Sequence, residues 1–106
     1  MKRTRLYIGL KEQDMKTNVD KQKVEDVIKE RVRGGTFLEA KGLWNHKFED
    51  SIVFECLDLE ENILTGQNVD QLVEELAGIF KQESILKTVE EVEAEFVTPR
   101  KEEAVA

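Results

Sequence analysis

The chain has 106 residues, of which 40% are hydrophobic and 37% charged, and its formal net charge is −7. A chain of this length forms one domain and can bury a core without disulfides or metals. We expect that domain over residues 1–97 and a disordered tail over residues 98–106. The acidic balance argues against nucleic-acid and membrane partners, because phosphate backbones and anionic lipid surfaces attract basic proteins.

The start of the chain does not have the pattern of an export signal. Lys2 and Arg3 are basic, but the apolar run after them is interrupted by Gly9 and ends at Lys11. A signal peptide needs a longer uninterrupted apolar segment. We therefore expect a cytoplasmic protein.

The first predicted strand covers residues 3–10, where aliphatic side chains alternate with cationic or aromatic ones. One side of this strand carries Leu6, Ile8 and Leu10, and the other carries Arg3, Arg5 and Tyr7. The aliphatic side is expected to face the core. The strand is expected to lie at the centre of the sheet.

A helix is predicted after this strand, because apolar residues beyond residue 20 recur at spacings of three and four. Asp20 is a suitable N-cap, and Val19 and Val24 have the spacing of a hydrophobic staple. Gly34 and Gly35 are expected to end the helix, because glycine adopts the left-handed C′ conformation without strain.

Residues 36–43 and 51–58 alternate with a period of two, which predicts an antiparallel hairpin with a polar tip over residues 45–50. The side of the hairpin away from the core is expected to carry Phe37, Glu39, Lys41 and Leu43 from the first strand and Val53, Glu55 and Leu57 from the second.

A connection over residues 58–67 leads to a second helix, which is predicted from Asn68 to Phe80. Asn68 and Gln71 have the spacing of a capping box. Residues 88–97 fit either a helix or a strand. Their strict alternation of glutamates with apolar residues favours a strand, which Pro99 would end.

The elements follow the order strand, helix, strand, strand, helix, strand. Right-handed crossovers then predict a ferredoxin-like α+β fold with a four-stranded antiparallel sheet in the order 4-1-3-2 and both helices on one face. The first strand lies beside the last in this order. Arg3 and Arg5 are therefore expected to face Glu91, Glu93 and Glu95.

Three separated stretches are distinctive, namely Leu6-Tyr7-Ile8-Gly9-Leu10, Ala40-Lys41-Gly42-Leu43-Trp44 and Phe80-Lys81-Gln82-Glu83-Ser84-Ile85-Leu86. Together they resemble a family of small bacterial domains of unknown function over about residues 6–97. The chain departs from the family pattern at Ile8, Leu43 and Lys81, where the family carries phenylalanine, glutamine and glycine. The resemblance implies a fold and three places to look for a site, but no reaction.

Few residues carry obvious chemistry. His46 lies in the predicted hairpin tip and is expected to be exposed, and Cys56 is expected to be a small buried hydrophobe. One histidine and one cysteine at distant positions give no metal-ligand spacing, so no metal or cofactor is expected. Gln82 and Ser84 fit either a helix-end turn or a ligand contact, and the turn is favoured.

The predicted open sheet face offers the main candidate surface, comprising Arg5, Tyr7, Phe37, Glu39, Lys41, Leu43, Val53, Glu55 and Leu57. Its apolar members favour an interface. Our leading expectation is a non-enzymatic interaction module that homodimerises through this face, with an unidentified protein or small-molecule partner. The alternative is a small-ligand-binding domain or enzyme of the dimeric α+β barrel type. A third hypothesis, an acidic decoy for a basic site, rests only on the acidic second half.

Overall fold

A computed structural model describes residues 1–100 of the protein. Its strands are β1 (Lys2–Gly9), β2 (Thr36–Trp44), β3 (Lys47–Leu57) and β4 (Leu86–Glu91). Its helices are α1 (Lys21–Arg31), α2 (Leu59–Asn62) and α3 (Val69–Ile79). None of the helices in this part of the chain is both long and apolar enough to cross a membrane.

The four strands form one antiparallel sheet in the order β2-β3-β1-β4. This is the predicted neighbour order read from the opposite edge, so the predicted α+β class and four-stranded antiparallel sheet are confirmed. Strand β1 is central: Leu6 lies opposite Phe54 of β3, and Tyr7 lies opposite Leu86 of β4.

One face of the sheet packs against the helices. The buried cluster joins the strand residues Leu6, Ile8, Ile52 and Phe54 to the helix residues Val24, Ile28, Leu72 and Leu76. Helices α1 and α3 therefore cover the same face, as predicted. Fully burying each aliphatic side chain contributes about 1.5–3 kcal/mol, which makes this cluster the main source of stability.

Both long helices begin at the predicted caps. The Asp20 side chain accepts a hydrogen bond of 2.9 Å from the Gln22 backbone N–H. At α3, Asn68 and Gln71 form a reciprocal capping box with hydrogen bonds of 2.8 and 3.0 Å. These local signals were readable from sequence because both partners lie within three residues of each other.

Helix α1 ends at Arg31, earlier than predicted. Val32 is extended and pairs with Ile63 in an isolated antiparallel bridge. This bridge joins the segment after α1 to the segment after α2. Gly35 does not cap the helix as predicted, but lies against the Phe54 ring. A Cβ at this position, where φ is 157°, would lie 2.5 Å from atoms of the Phe54 ring, so only glycine permits this approach.

The predicted faces of the β2 side chains are wrong, because each side chain lies on the opposite side of the sheet from the one predicted. Phe37 lies opposite Phe54 on the helix side, with the ring centroids 5.1 Å apart, and Glu39 forms an ion pair with Lys21 of α1. Lys41 shares that side with Leu43 at alternate positions along the strand. The remaining set, comprising Thr36, Leu38, Ala40, Gly42 and Trp44, lies on the open side.

The hairpin between β2 and β3 is tighter than predicted. The strands extend until Trp44 lies opposite Lys47, and only Asn45 and His46 separate them. Both of these residues have positive φ, at 50° and 62°, which is the pattern of a type I′ turn. The connection predicted over residues 58–67 contains the short helix α2, whose buried Leu59 anchors it.

The last element is a strand, and the helical alternative is wrong, but it covers Leu86–Glu91 instead of residues 88–97. No helix or strand is present over residues 98–100, and the rest of the predicted tail, residues 101–106, lies outside the described residues. Glu91 lies 3.7 Å from the N-terminal amine. Glu93 and Glu95 follow the end of the strand and do not pair across it.

The arginines of β1 are neutralised by other glutamates than predicted. Arg3 Nη2 donates to Glu90 Oε1 at 2.6 Å, and Arg5 Nε donates to Glu55 Oε1 at 3.0 Å. Arg3 Nε also lies 3.3 Å from Glu55 Oε1. In the register, Arg3 lies opposite Glu90, whereas the predicted alternation started one residue later, at Glu91. The carboxylate opposite Arg5 comes from Glu55 of β3.

Helix α3 ends in a Schellman motif centred on Lys81. The Lys81 N–H donates to Gly78 O at 3.3 Å and the Gln82 N–H donates to Ala77 O at 2.9 Å. Lys81 holds a φ of 52°, the left-handed conformation that glycine adopts freely. This is the position where the family that the chain resembles carries glycine.

Replacing Lys81 by glycine is expected to raise the free energy of unfolding by about 1 kcal/mol, because a Cβ in the left-handed region is strained. Urea denaturation measures the change. Lys81→Ala is the matched control, since it removes the charge but keeps the Cβ, and it should bring no gain. Equal stability of Lys81→Gly and Lys81→Ala would contradict the strain at this position.

Candidate ligand-binding site

The three distinctive stretches of the sequence meet at one cavity. Tyr7 and Gly9 come from the end of β1, Gly42 to Trp44 from the end of β2, and Gln82 to Ser84 from the turn after α3. We call this space, of about 640 Å³, the motif cavity. Its volume lies in the range of about 300–1,000 Å³ that is typical of small-molecule sites.

The remaining lining of the motif cavity comes from three other places. The loop after β1 contributes Lys11, Glu12, Gln13 and Met15. The β2–β3 hairpin adds Asn45, Glu49 and Ser51, and β4 adds Leu86. The cavity therefore lies at one end of the sheet, between the open face and two loops.

Because Gly9 has no side chain, two polar side chains can approach the backbone of β1 at this position. A Cβ at this position would overlap Glu49 Oε1 and would lie 3.3 Å from Gln82 Oε1. Glycine at the end of the strand thus lets the Glu49 carboxylate and the Gln82 amide lie close together over the cavity floor. This is the physical reason for glycine in the first distinctive stretch.

Gln82 fastens two walls of the motif cavity to each other. Its Nε2 donates to Lys11 O at 2.8 Å and to Phe80 O at 3.2 Å. The Gln13 N–H also donates to Lys81 O at 2.8 Å. The favoured interpretation of Gln82 as a helix-end residue agrees with the bond to Phe80. That Gln82 and Ser84 also contact a ligand stays a prediction.

The loop over residues 11–17 is held by Asp14. This carboxylate accepts hydrogen bonds from Thr17 Oγ1 at 2.6 Å, from the Thr17 N–H at 2.9 Å and from the Lys16 N–H at 2.8 Å. These bonds, chiefly that from the Thr17 hydroxyl, lower the pKa of Asp14 to about 2. A hydrogen-bonded turn of this kind gives the cavity wall a defined shape.

The motif cavity is acidic. Among residues 1–100, its lining contains one cation, Lys11, and three carboxylates, Glu12, Glu49 and Glu83. None of these three carboxylates has an ion-pair or hydrogen-bond partner among residues 1–100. The site therefore favours a cationic ligand over a phosphate or another anion, since a carboxylate attracts positive charge.

Aromatic and sulfur-containing side chains give the same cavity apolar contact area. Trp44 is 63% exposed, Leu86 is also exposed, and Tyr7 is half-buried. Met15 is also exposed and lies in the loop wall. Flat aromatic rings bind heterocyclic bases by stacking and cations by their π faces, so the site can hold a flat, positively charged ligand.

The predicted site residues divide into two groups. The register places Arg5, Tyr7, Val53, Glu55 and Leu57 on the open face and Phe37, Glu39, Lys41 and Leu43 on the helix side. Only Tyr7, Leu43, Gln82 and Ser84 among the predicted site residues line the motif cavity. The open face also exposes less apolar surface than expected. Val53 lies between Tyr7 and Leu38 and is only 6% exposed.

The open face near the arginines is occupied by ion pairs. Hydrogen bonds to Glu55 and to Tyr7 raise the pKa of Arg5, and the bond from Arg3 lowers the pKa of Glu90. A second cavity, of about 550 Å³, lies at this end of the sheet beside Gly34, Gly35 and Cys56. It contains no residue of the three distinctive stretches, so it is the weaker candidate.

Cys56 has no nucleophilic role in this geometry. Its thiol is buried and its Sγ donates to Gly34 O at 3.2 Å. Burial, with a smaller contribution from Asp58, raises the pKa of the thiol to about 11, so it stays protonated near neutral pH. Within residues 1–100, no group of three or more His, Cys, Asp or Glu side chains has the geometry for a metal ion.

Comparison with known proteins gives a family and two solved structures. A family model described as protein of unknown function, DUF3574, matches residues 3–96. A phage SAM lyase in complex with S-methyl-5′-thioadenosine is 25% identical, with a TM-score of 0.60, and the match covers 85% of this chain and 80% of that one. A phage SAM lyase in the apo state is 21% identical, with a TM-score of 0.54 and 84% and 78% coverage, which supports the fold. No curated protein matches the chain.

These comparisons change the functional expectation. The resemblance to a family of small domains of unknown function is confirmed. The leading expectation of a non-enzymatic interaction module is wrong, because the similar structure at 25% identity is that of an enzyme, a phage SAM lyase, in complex with a small molecule. The alternative, a small-ligand-binding domain or enzyme, is the better supported of the two hypotheses.

The hydrogen bonds to Asp14 should make the stability of the loop over residues 11–17 depend on pH. The deprotonated carboxylate should stabilise the loop above about pH 4, and this contribution should be lost as the pH falls toward 2. In Thr17→Ala the pKa of Asp14 should rise toward its ordinary value of 3.8, because the largest stabilising bond is removed. Carboxyl ¹³C NMR titration measures both values. An unchanged Asp14 pKa in the variant would contradict the assignment.

Proposed function

We propose that this chain, which belongs to the DUF3574 family of proteins of unknown function, binds S-adenosylmethionine in the motif cavity and cleaves it to S-methyl-5′-thioadenosine. The observation that carries the proposal is the meeting of three distant stretches at one acidic, aromatic cavity. The similarity to a phage SAM lyase in complex with S-methyl-5′-thioadenosine, over 85% of this chain, supports it.

The chemistry of the ligand suits the lining of the cavity. S-adenosylmethionine combines a flat adenine, a positively charged sulfonium and an amino acid group. Tyr7 and Trp44 line different parts of the cavity, and either ring offers an aromatic surface for the adenine. The unpaired carboxylates of Glu12 and Glu49 would attract the sulfonium and the ammonium, and Lys11 would attract the ligand's own carboxylate.

The proposed reaction breaks the bond between the sulfonium sulfur and the γ-carbon of the amino acid group. The electron pair of that bond goes to sulfur, which leaves as the neutral thioether S-methyl-5′-thioadenosine. In one route the substrate's own carboxylate attacks the γ-carbon as this bond breaks, and the amino acid fragment leaves as a lactone. In the other route a base removes a β-proton as the bond breaks, and the fragment leaves as an alkene.

The two routes ask different things of the protein. Ring closure needs no protein base, and the cavity would act by holding the substrate folded so that its carboxylate lies close to the γ-carbon. Elimination needs a carboxylate within hydrogen-bond reach of the β-proton, and Glu49 is the nearest such group to the cavity floor at Gly9. We favour ring closure, because Glu49, the carboxylate beside Gly9, is then free to face the sulfonium.

We also propose a ferredoxin-like arrangement, a cytoplasmic location and self-association. The ferredoxin-like arrangement is supported by the strand order and by both long helices packing on one face. A cytoplasmic location stays a prediction from the sequence. Self-association also stays a prediction, which light scattering can decide at micromolar concentration.

Incubation of the purified protein with S-adenosylmethionine is expected to release S-methyl-5′-thioadenosine in proportion to protein concentration. Liquid chromatography separates substrate from product, and proton NMR of the second product distinguishes a lactone from an alkene. A heat-denatured sample is the control for the spontaneous breakdown of the substrate. Release no faster than in that control would contradict the proposed reaction.

Gly9→Ala is expected to weaken binding of S-methyl-5′-thioadenosine by about tenfold without unfolding the protein. The new Cβ overlaps the end of the flexible Glu49 side chain, which can rotate away, so mainly the site is disturbed. Quenching of Trp44 fluorescence measures binding directly, because Trp44 is the single tryptophan of the chain and lines the cavity. Gly34→Ala, where a Cβ would meet no atom within 4 Å, is the matched control. Equal binding by both variants would contradict the site.

A further inference from the structure

Glu49 occupies an unusual position on the open face. It lies opposite Gly42 of β2, and Gly9 approaches it from β1 on the other side. Both flanking residues lack a side chain, and the carboxylate fills the gap at Gly9, where a Cβ would overlap Glu49 Oε1. The two glycines belong to two of the three distinctive stretches, which makes Glu49 the common neighbour of both.

The ion pairing of Glu49 also differs from that of the other open-face glutamates. Glu55 is held by Arg3 and Arg5, and Glu90 is held by Arg3. Glu49 is half-buried and has no such cation among residues 1–100. A partly buried carboxylate without a partner is unfavourable, and a cationic ligand would remove that cost.

We propose that Glu49 is the residue that distinguishes the sulfonium substrate from thioether compounds, by placing its carboxylate against the positive sulfur. This inference rests on the proposed function, since it assigns the charge selectivity of the same cavity. When the carbon–sulfur bond breaks, the sulfur becomes neutral, so the attraction to Glu49 disappears and the product is held less tightly than the substrate.

The test compares the affinities of two ligands that differ at sulfur. S-adenosylmethionine carries a sulfonium, whereas S-adenosylhomocysteine has the same groups without the methyl and a neutral sulfur. Trp44 quenching, extrapolated to zero time for the substrate, gives both dissociation constants. The wild-type protein should bind the sulfonium more tightly by about tenfold, which corresponds to about 1.4 kcal/mol.

Glu49→Gln keeps the shape of the side chain and removes its charge. It should reduce the preference to about twofold or less by weakening sulfonium binding alone, with the homocysteine compound bound as before. Asp50→Asn removes a carboxylate one residue away that does not line the cavity, and it should keep the wild-type preference. The wild-type preference should also shrink with rising salt, a readout that needs no variant.

The outcomes separate the inference from the function on which it rests. A full sulfonium preference in Glu49→Gln overturns the inference and leaves the proposed function standing. An equal loss for both ligands overturns it too, because Glu49 would then contact a group that the ligands share. Failure of the wild-type protein to bind either ligand, or S-methyl-5′-thioadenosine, overturns the proposed function and the inference together.

Discussion

The pairing of β1 with β3 on one edge and β4 on the other is the constraint on which the rest of the structure depends. Because both edges are occupied, the side chains of β1 must face either the helices or the open side. Leu6 and Ile8 face the helices and are fully buried beneath them. Arg3, Arg5 and Tyr7 face the open side, where their neighbours on β3 and β4 decide what that surface can do.

The open face changes character along β1. At the arginine end, the guanidinium groups neutralise Glu55 and Glu90, and this part of the surface is electrostatically satisfied. At the other end, the strand finishes in Gly9, and the neighbouring Glu49 has no cation among the described residues. The carboxylate without a cation among the described residues therefore lies at the end of the open face that borders the motif cavity.

The turn after α3 connects this end of the sheet to the helix layer. Its Schellman hydrogen bonds set the direction of the chain at Lys81, and Gln82 then fastens the loop after β1 through Lys11 O. The loop is in turn shaped by Asp14. The cavity walls are thus held by backbone and side-chain hydrogen bonds on three elements, which is the kind of preorganisation that a binding site needs.

Local features of this fold could be predicted from the sequence, whereas those that depend on distant contacts could not. The Asp20 cap and the Asn68 capping box involve neighbouring residues and were predicted correctly. The face of β2 was not, because alternation alone is symmetric and β2 is an edge strand with little burial to mark its inner side. The ends of β4 depend on its register with β1, which no local pattern reveals.

The candidate site shows the same limit. The three distinctive stretches could be identified in the sequence as candidate parts of a site. Two of the predicted ligand contacts, Gln82 and Ser84, line the cavity. Glu49 had no signal of its own, because nothing in its neighbourhood along the chain distinguishes it from other surface glutamates. The role proposed for Glu49 depends on its contact with Gly9, which lies forty residues away in sequence.

The most direct test of the central claim is a titration of ¹⁵N-labelled protein with S-methyl-5′-thioadenosine, followed by amide NMR. If the three stretches form one ligand site, the shifted amides should cluster around Gly9, Gly42 to Trp44, and Gln82 to Ser84. The amides around Gly34 and Gly35, at the second cavity, should not move. Shifts confined to that second cavity, or no saturable shifts at millimolar ligand, would contradict the account.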